Sequence, residues 1–235
     1  MFDADADLFA RSRTYVEAIA TPREALAAAS GVSDRELAAI EAAAALPAPT
    51  YVLFENAIRS PIAVLGEAPN EGGRAFYCPS VVHWVRRAKL IGVDRSDLLE
   101  QLQAWFVHDF AAALEAQAAD ARLHAWSHLF DGNGTLVAAA RAEQVRTLCA
   151  EWMNGGWAVC LRRWNGYHVV TKDLERARIG ALTEDATREL DAAERQTLFD
   201  AIERLDSVML PFAPHERPHG TPGLFVDRMR AHYGV

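Results

Sequence analysis

The chain has 235 residues, a net charge of −8 at pH 7 and a hydrophobic content of 51%. This length and this hydrophobic content suffice for one domain with a buried core. The acidic balance argues against a general nucleic-acid-binding protein, which usually carries a basic face. Three cysteines without a Cys-x-x-Cys spacing predict neither a disulfide framework nor a four-thiolate zinc site.

The N-terminal sequence MFDADADLFARSR is acidic and lacks the apolar segment of a secretory signal. No run of the sequence approaches the roughly 18 apolar residues of a membrane span. We therefore expect a cytoplasmic protein with reduced thiols and no membrane partner.

Residues 1–48 carry two helix-start signals. The tetrads TPRE at 21–24 and SDRE at 33–36 each place a glutamate three residues after a hydroxyl cap. They predict helices at about 22–30, before Gly31, and at 34–45, before Pro47. We expect these residues to form an N-terminal helical arm.

Residues 49–210 are predicted to form a mostly helical core. The apolar runs at 62–65 and 75–78 flank the turn-rich segment GEAPNEGGR, which predicts a β-hairpin flap at about 61–79. Apolar residues then recur at three- and four-residue steps, which predicts a helix from about 96 that breaks near 116–120 and resumes to Phe130, and another from about 136 to 153. The predicted fold class is mostly α.

The C-terminal third carries both turn and helix signals. The segment WAVCLRRWNGYHVVT contains Asn165-Gly166, a dipeptide favoured by type I′ turns, and predicts a second small hairpin. A helix is predicted at about 184–206. Residues 211–235 are rich in proline and glycine and are predicted to form a loop-like tail.

The segment HLFDGNGTL, residues 128–136, separates two helical stretches by Asp-Gly-Asn-Gly. A calcium loop is excluded, because Leu129 and Ala140 stand where an EF-hand needs aspartate and a bidentate glutamate. A plain connection stays open, since Asp, Asn and Gly supply the conformations that helix–helix loops need.

A phosphate site is the other interpretation of this loop. A helix that began at about 135 would direct free amides and the positive end of its dipole at an anion. The glycines allow close approach, and the remaining side chains supply a base, a magnesium ligand and a hydrogen-bond donor. The residues in these roles are His128, Asp131, Gly132, Asn133 and Gly134.

These residues resemble the signature of Fic proteins (the Fido superfamily) in the histidine, the phenylalanine, the acidic residue and the Gly-Asn-Gly sequence. The predicted flap lies about as far before the histidine as the flap of that family. The resemblance implies a mostly helical transferase that moves a phosphate-containing group, most often AMP from ATP (AMPylation), to a hydroxyl of a protein or small molecule. It implies His128 as general base, Asp131 as the Mg²⁺ ligand, and residues 132–134 as the nucleotide-binding nest.

Both arginines of the family signature are absent, and Thr135 and Ala138 stand in their places. Such arginines bind nucleotide phosphates through bidentate, charge-assisted contacts. Thr135 offers one hydroxyl instead, and Arg141, one helical turn beyond Ala138, is a candidate substitute. A non-catalytic Fic-like binding or regulatory protein is therefore the alternative to an enzyme.

An all-helical His/carboxylate metalloenzyme is a further alternative. His124 and His128 are four residues apart, a spacing that suits zinc or iron on one helix face. The residues that would complete such a site are His108, Asp109, Glu115 and Asp120.

Basic and aromatic residues are the remaining candidates for a binding site. The basic residues, which we expect on solvated faces but which also suit an anion, are Arg86, Arg87, Lys89, Arg162, Arg163 and Lys172. The aromatic residues, which we expect in the core or as cross-strand pairs rather than as a stacking site, are Trp152, Trp157, Trp164, Tyr167 and Phe212.

Overall fold

Helices form most of the chain in the computed structural model, which describes the backbone of residues 2–235 and the side chains of residues 5–235. The α-helices are α1 (Phe2–Ile19), α2 (Leu26–Ser30), α3 (Asp34–Ala42), α4 (Pro79–Ile91), α5 (Leu98–Ala116), α6 (Ala118–Leu123), α7 (Ala138–Met153), α8 (Gly156–Cys160), α9 (Gly166–Thr183), α10 (Ala192–Val208) and α11 (Arg228–Tyr233). The strands are β1 (Thr21–Pro22), β2 (Tyr51–Leu53), β3 (Ile58–Arg59), β4 (Val64–Leu65) and β5 (Arg74–Tyr77). The predicted mostly α fold with a β-hairpin is confirmed. Within the described residues, no helix has both the length and the apolar content to cross a bilayer.

The strands form one antiparallel sheet in the order β1-β5-β2-β3-β4. Val52 of β2 lies opposite Arg59 on one side and opposite Ala75 on the other. Tyr51 and Leu53 alternate with Val52 and turn their side chains into the core, as the two-residue period of a strand requires.

The hairpin of this sheet is formed by residues 58–65, so the predicted flap at 61–79 is placed wrongly. β4 pairs with β3, and β5 pairs with β2, which leaves two strands between the two halves of the predicted flap. The turn from β3 to β4 is closed by the Ser60 amide, which donates to the Ala63 carbonyl at 2.9 Å. This short turn loses less entropy on closure than the long tip of the predicted flap.

The helices of residues 1–48 belong to the core and do not form a separate arm. Val16 of α1, Leu26 of α2 and Ile40 of α3 are each 0% exposed. Their burial makes these helices part of the scaffold that holds α4 and the sheet.

One of the two predicted capping boxes is present. The Ser33 side chain accepts a hydrogen bond from the Glu36 amide, and the Glu36 carboxylate accepts one from the Ser33 amide. The box at 21–24 is absent, because Thr21 pairs with Tyr77 in the sheet and α2 begins only at Leu26.

The predicted second hairpin is wrong, because its segment forms α8 and the start of α9. Asn165 caps α9, and its side-chain oxygen accepts a hydrogen bond from the His168 amide at 2.9 Å. Gly166 does not have the positive φ that a type I′ turn requires. It permits a close approach instead, since a Cβ atom there would lie 2.3 Å from the Asp109 carbonyl oxygen.

The tail, residues 211–235, was predicted to be a loop and is largely helical. It contains a 3₁₀ turn at Arg217–His219, a π-helical turn at Pro222–Asp227, and α11. Proline opens both turns, where its missing amide breaks no helical hydrogen bond. The buried residues of the tail include Phe212, Val226 and Met229.

Glu216 is a buried carboxylate that joins the tail to the sheet. It accepts hydrogen bonds from the hydroxyls of Tyr51, at 2.8 Å, and Ser60. Burial raises the pKa of Glu216 above its usual value, and these two donors offset part of that effect.

A stack of aromatic rings lies at the centre of the helical half. The indole of Trp164 is stacked between Phe106, at 4.4 Å, and Trp152, at 4.7 Å between ring centres. The expectation that Trp152, Trp157, Trp164 and Phe212 belong to the core is confirmed, but Tyr167 is 52% exposed.

Candidate functional site

The loop at residues 131–135 is a turn whose polar groups bind one another. The Asp131 amide donates to the Thr135 carbonyl, and the Gly134 amide donates to the Asp131 carbonyl, each at 2.9 Å. Asp131 Oδ1 accepts from the amides of Asn133, at 2.9 Å, and Thr135, at 2.8 Å. Of the amides at 131–135, only that of Gly132 lacks a partner within the loop.

The loop is also separated from the following helix. Phe130 and Leu136 form an antiparallel bridge, and the Val137 amide donates to the Leu129 carbonyl at 2.8 Å. Helix α7 therefore begins at Ala138, about three residues later than predicted. The free amides at the start of α7 are therefore separate from the amides of the loop. The loop is not the preformed anion nest that the sequence predicted.

The other predicted residues of this loop lie at the surface. His128 is exposed, and its Nε2 lies 3.1 Å from Gln144 Oε1. Thr135 is exposed, whereas the Nε of Arg141 is buried and, among the described residues, has no hydrogen-bond acceptor. Arg122 was not predicted, yet its guanidinium lies against Gly134, where a Cβ atom would be 2.8 Å from its Cζ.

The predicted metal site is not formed. Between residues 5 and 235, no three His, Cys, Asp or Glu side chains are grouped as ligands of one metal ion. His124 terminates α6 and His128 lies in a 3₁₀ turn, so the two imidazoles do not share a helix face. Among the described residues, Asp131 is likewise not part of such a group.

A second site is a cleft of about 260 Å³ between α4, α5 and the segment that joins α8 to α9. We call it the basic cleft. Its polar and aromatic lining residues are His83, Trp84, Arg86, Arg87, Trp105, Asp109, Arg163, Trp164 and Asn165. Two of the basic patches noted in the sequence therefore meet, although about 80 residues separate them along the chain.

Three guanidinium groups give the cleft a positive charge. Arg87 lies over the ring of Trp105, at 4.5 Å, and Arg86 donates to the Ala29 carbonyl at 2.7 Å. Within the described part of the chain, Arg86, Arg87 and Arg163 make no ion pair with a carboxylate. Unpaired arginines around a concave surface are the usual recognition groups for phosphate or carboxylate.

The histidines near the cleft respond to this charge. Burial, Arg163 and Arg86 lower the pKa of His83 below its usual value. Burial, Arg163, Arg162 and His83 lower the pKa of His168 to about 4. Both pKa values are lowered chiefly because the imidazoles are buried, and the neighbouring arginines add to this effect.

Trp164 lines the cleft with a side chain that is otherwise buried. The side chain is only 3% exposed, and its indole Nε1 is buried and has no hydrogen-bond partner among the described residues. A buried N–H without an acceptor costs about 1–3 kcal/mol.

The floor of the cleft is the junction of α5 and α9. Asp109 Oδ2 accepts from the Gly166 amide at 2.5 Å, and Asn165 Oδ1 accepts from His168. These contacts fix Asp109 and Asn165 in place, because each side chain satisfies an amide at the start of α9.

The C-terminal part of the chain matches a known family. Residues 102–234 match a family of unknown function (DUF6058), which is more than half of the sequence. The chain belongs to this family. Neither a curated protein nor a solved structure matches it.

The DUF6058 segment begins within α5 and ends in the C-terminal helix α11. It therefore supplies Trp105, Asp109 and residues 163–165 of the cleft. The remaining lining residues come from α4, which precedes the DUF6058 segment. The basic cleft is thus built between the family segment and the N-terminal part of this chain.

Proposed function

We propose that this chain is a binding protein for a small anionic molecule, which it holds in the basic cleft. The observation that carries the proposal is the convergence on one cleft of three arginines, none of which is ion-paired among the described residues. The non-catalytic alternative derived from the sequence agrees with this function, although the cleft, and not the HLFDGNG loop, is the site.

The volume of the cleft limits the size of the ligand. Small-molecule sites usually measure about 300–1,000 Å³, so a cleft of about 260 Å³ suits a compact metabolite. A phosphate or carboxylate group would accept hydrogen bonds from the arginines. These charge-assisted bonds are stronger than bonds between neutral groups.

Titration calorimetry with inorganic phosphate, at constant ionic strength, tests this function. We expect Arg163→Gln to weaken phosphate binding by about tenfold or more, since a hydrogen bond to a charged group contributes about 1.5–3 kcal/mol. The matched control is Arg146→Gln, which removes the same charge from an exposed pair with Glu143. Equal phosphate affinities of Arg163→Gln and wild-type protein would contradict the proposal.

A Fic-like transferase stays a second proposal for the HLFDGNG loop. Its support is the order of residues in the loop and the guanidinium of Arg122, which lies beside Gly134 where the signature arginines are missing. In this proposal Asp131 Oδ1 keeps the amides of Asn133 and Thr135, and its Oδ2, which accepts no hydrogen bond from a described residue, would bind the metal ion.

Intact-mass measurement tests this second proposal. The protein is incubated with Mg²⁺, a nucleoside triphosphate and lysate, and His128→Ala is the control. A mass increase on an acceptor that requires His128 would support a transferase. If no nucleoside triphosphate produces an adduct, the proposal is wrong.

A further inference from the structure

We propose that the ligand of the basic cleft is a phosphate monoester that also carries hydroxyl groups, such as a sugar phosphate. This inference rests on the proposed function and extends it to a ligand class. It follows from the one acidic residue of the cleft and from the unused donors around it.

Asp109 is a carboxylate within a cleft that otherwise attracts anions. Its Oδ2 accepts from the Gly166 amide, whereas its Oδ1 accepts no hydrogen bond from any described residue. A ligand that was anionic throughout would be repelled by this carboxylate. The part of the ligand that faces Asp109 must therefore donate hydrogen bonds, as a hydroxyl group does.

Asn165 supplies a neutral donor on the same lining. Asn165 Oδ1 accepts from His168, which leaves its side-chain amide nitrogen facing away from that contact and without an acceptor among the described residues. Together with Asp109 Oδ1, this nitrogen forms a donor–acceptor pair that matches the hydroxyl groups of a ligand.

The charge of the cleft favours phosphate over a zwitterion. Three arginines face one carboxylate, so the net charge of these groups is positive. A phosphate dianion has three terminal oxygens that accept from guanidinium forks, and a single carboxylate has two. An amino acid would place its ammonium group at Asp109 but would leave the arginines incompletely neutralised.

The volume of the cleft favours a ligand larger than inorganic phosphate. A cleft of about 260 Å³ lies near the lower end of small-molecule sites, which measure about 300–1,000 Å³. Inorganic phosphate alone leaves part of this space to solvent, whereas a phosphate monoester with a hydroxyl-bearing group fills more of it.

Calorimetric titration of wild-type protein with four probes tests the ligand class. The probes are D-glucose 6-phosphate, n-hexyl phosphate, inorganic phosphate and glycine. We expect glucose 6-phosphate to bind about tenfold or more tightly than n-hexyl phosphate, which has the same phosphate but no hydroxyl groups. Equal affinities for these two esters would overturn the inference, and so would glycine that binds more tightly than either.

Asp109→Asn separates the roles of charge and hydroxyl recognition. This variant keeps an oxygen for the Gly166 amide but removes the negative charge. We expect it to bind inorganic phosphate more tightly than wild-type protein and to lose most of the preference for glucose 6-phosphate. An unchanged preference would contradict the role of Asp109. If wild-type protein binds inorganic phosphate but does not distinguish the esters, only this inference fails; if no phosphate binds, the proposed function fails as well.

Discussion

Gly166→Ala is expected to lower the free energy of unfolding by about 3 kcal/mol or more. A Cβ atom at this position would lie 2.3 Å from the Asp109 carbonyl oxygen and 2.7 Å from the Phe110 Cα. Both atoms belong to the backbone of α5, so no side-chain rotation relieves the clash. Helix α9 must then move away from α5, which also disrupts the hydrogen bond from the Gly166 amide to Asp109.

Gly180→Ala is the matched control, because Gly180 lies in the same helix and a Cβ atom there has no neighbour within 4 Å. It is expected to raise the free energy of unfolding by about 0.5–1 kcal/mol, since alanine favours a helix over glycine. Urea denaturation followed by circular dichroism measures both changes. If Gly166→Ala unfolds within about 1 kcal/mol of wild-type protein, the close contact of α5 with α9 is wrong.

Trp164→Ala is the second substitution with a large expected effect, a loss of about 4 kcal/mol in the free energy of unfolding. The indole is stacked between Phe106 and Trp152, so its removal leaves a cavity at the centre of the helical half. Such a cavity adds its own cost to the loss of buried apolar area. Denaturation in urea, followed by circular dichroism, measures the change.

Trp164→Phe distinguishes packing from the unused donor. Phenylalanine retains most of the stack and removes an N–H that has no acceptor, so we expect a loss of no more than about 1 kcal/mol. A loss as large as that of Trp164→Ala would mean that the N–H has an acceptor in the folded protein.

Local chemistry predicted much of the fold. The capping box at Ser33, the helix break at Gln117 and the end of α7 before Gly155 follow from short-range rules on caps, helix formers and glycine. These three boundaries follow from the sequence, whereas α1 and α4 were not predicted and the segments of α8, α9 and α11 were predicted as hairpin or loop.

Long-range packing determines the parts of the fold that local sequence rules predicted wrongly. Asn165-Gly166 fits a type I′ turn by its local preference, but the two residues cap α9 and admit the backbone of α5. The tail contains prolines and glycines, yet Phe212 and Met229 bury it against the second core. Strand pairing likewise depended on the tight turn at Ser60, which local periodicity does not reveal.

The candidate site was predicted only in part. Arg86, Arg87 and Arg163 were recognised as basic residues that suit an anion, but their convergence depends on how α4 packs beside the segment before α9. The prediction for the HLFDGNG loop was more specific than that for the arginines, because the residues of the loop are contiguous in the sequence. In the folded chain the carboxylate of Asp131 binds the amides that were expected to bind phosphate.

The central claim is that the basic cleft binds an anion, and the most direct test is calorimetric titration of inorganic phosphate into wild-type, Arg163→Gln and Arg146→Gln protein. We predict saturable binding to wild-type and Arg146→Gln protein and an affinity lower by about tenfold or more for Arg163→Gln. Absence of binding to wild-type protein, or equal affinities of all three proteins, would contradict the account.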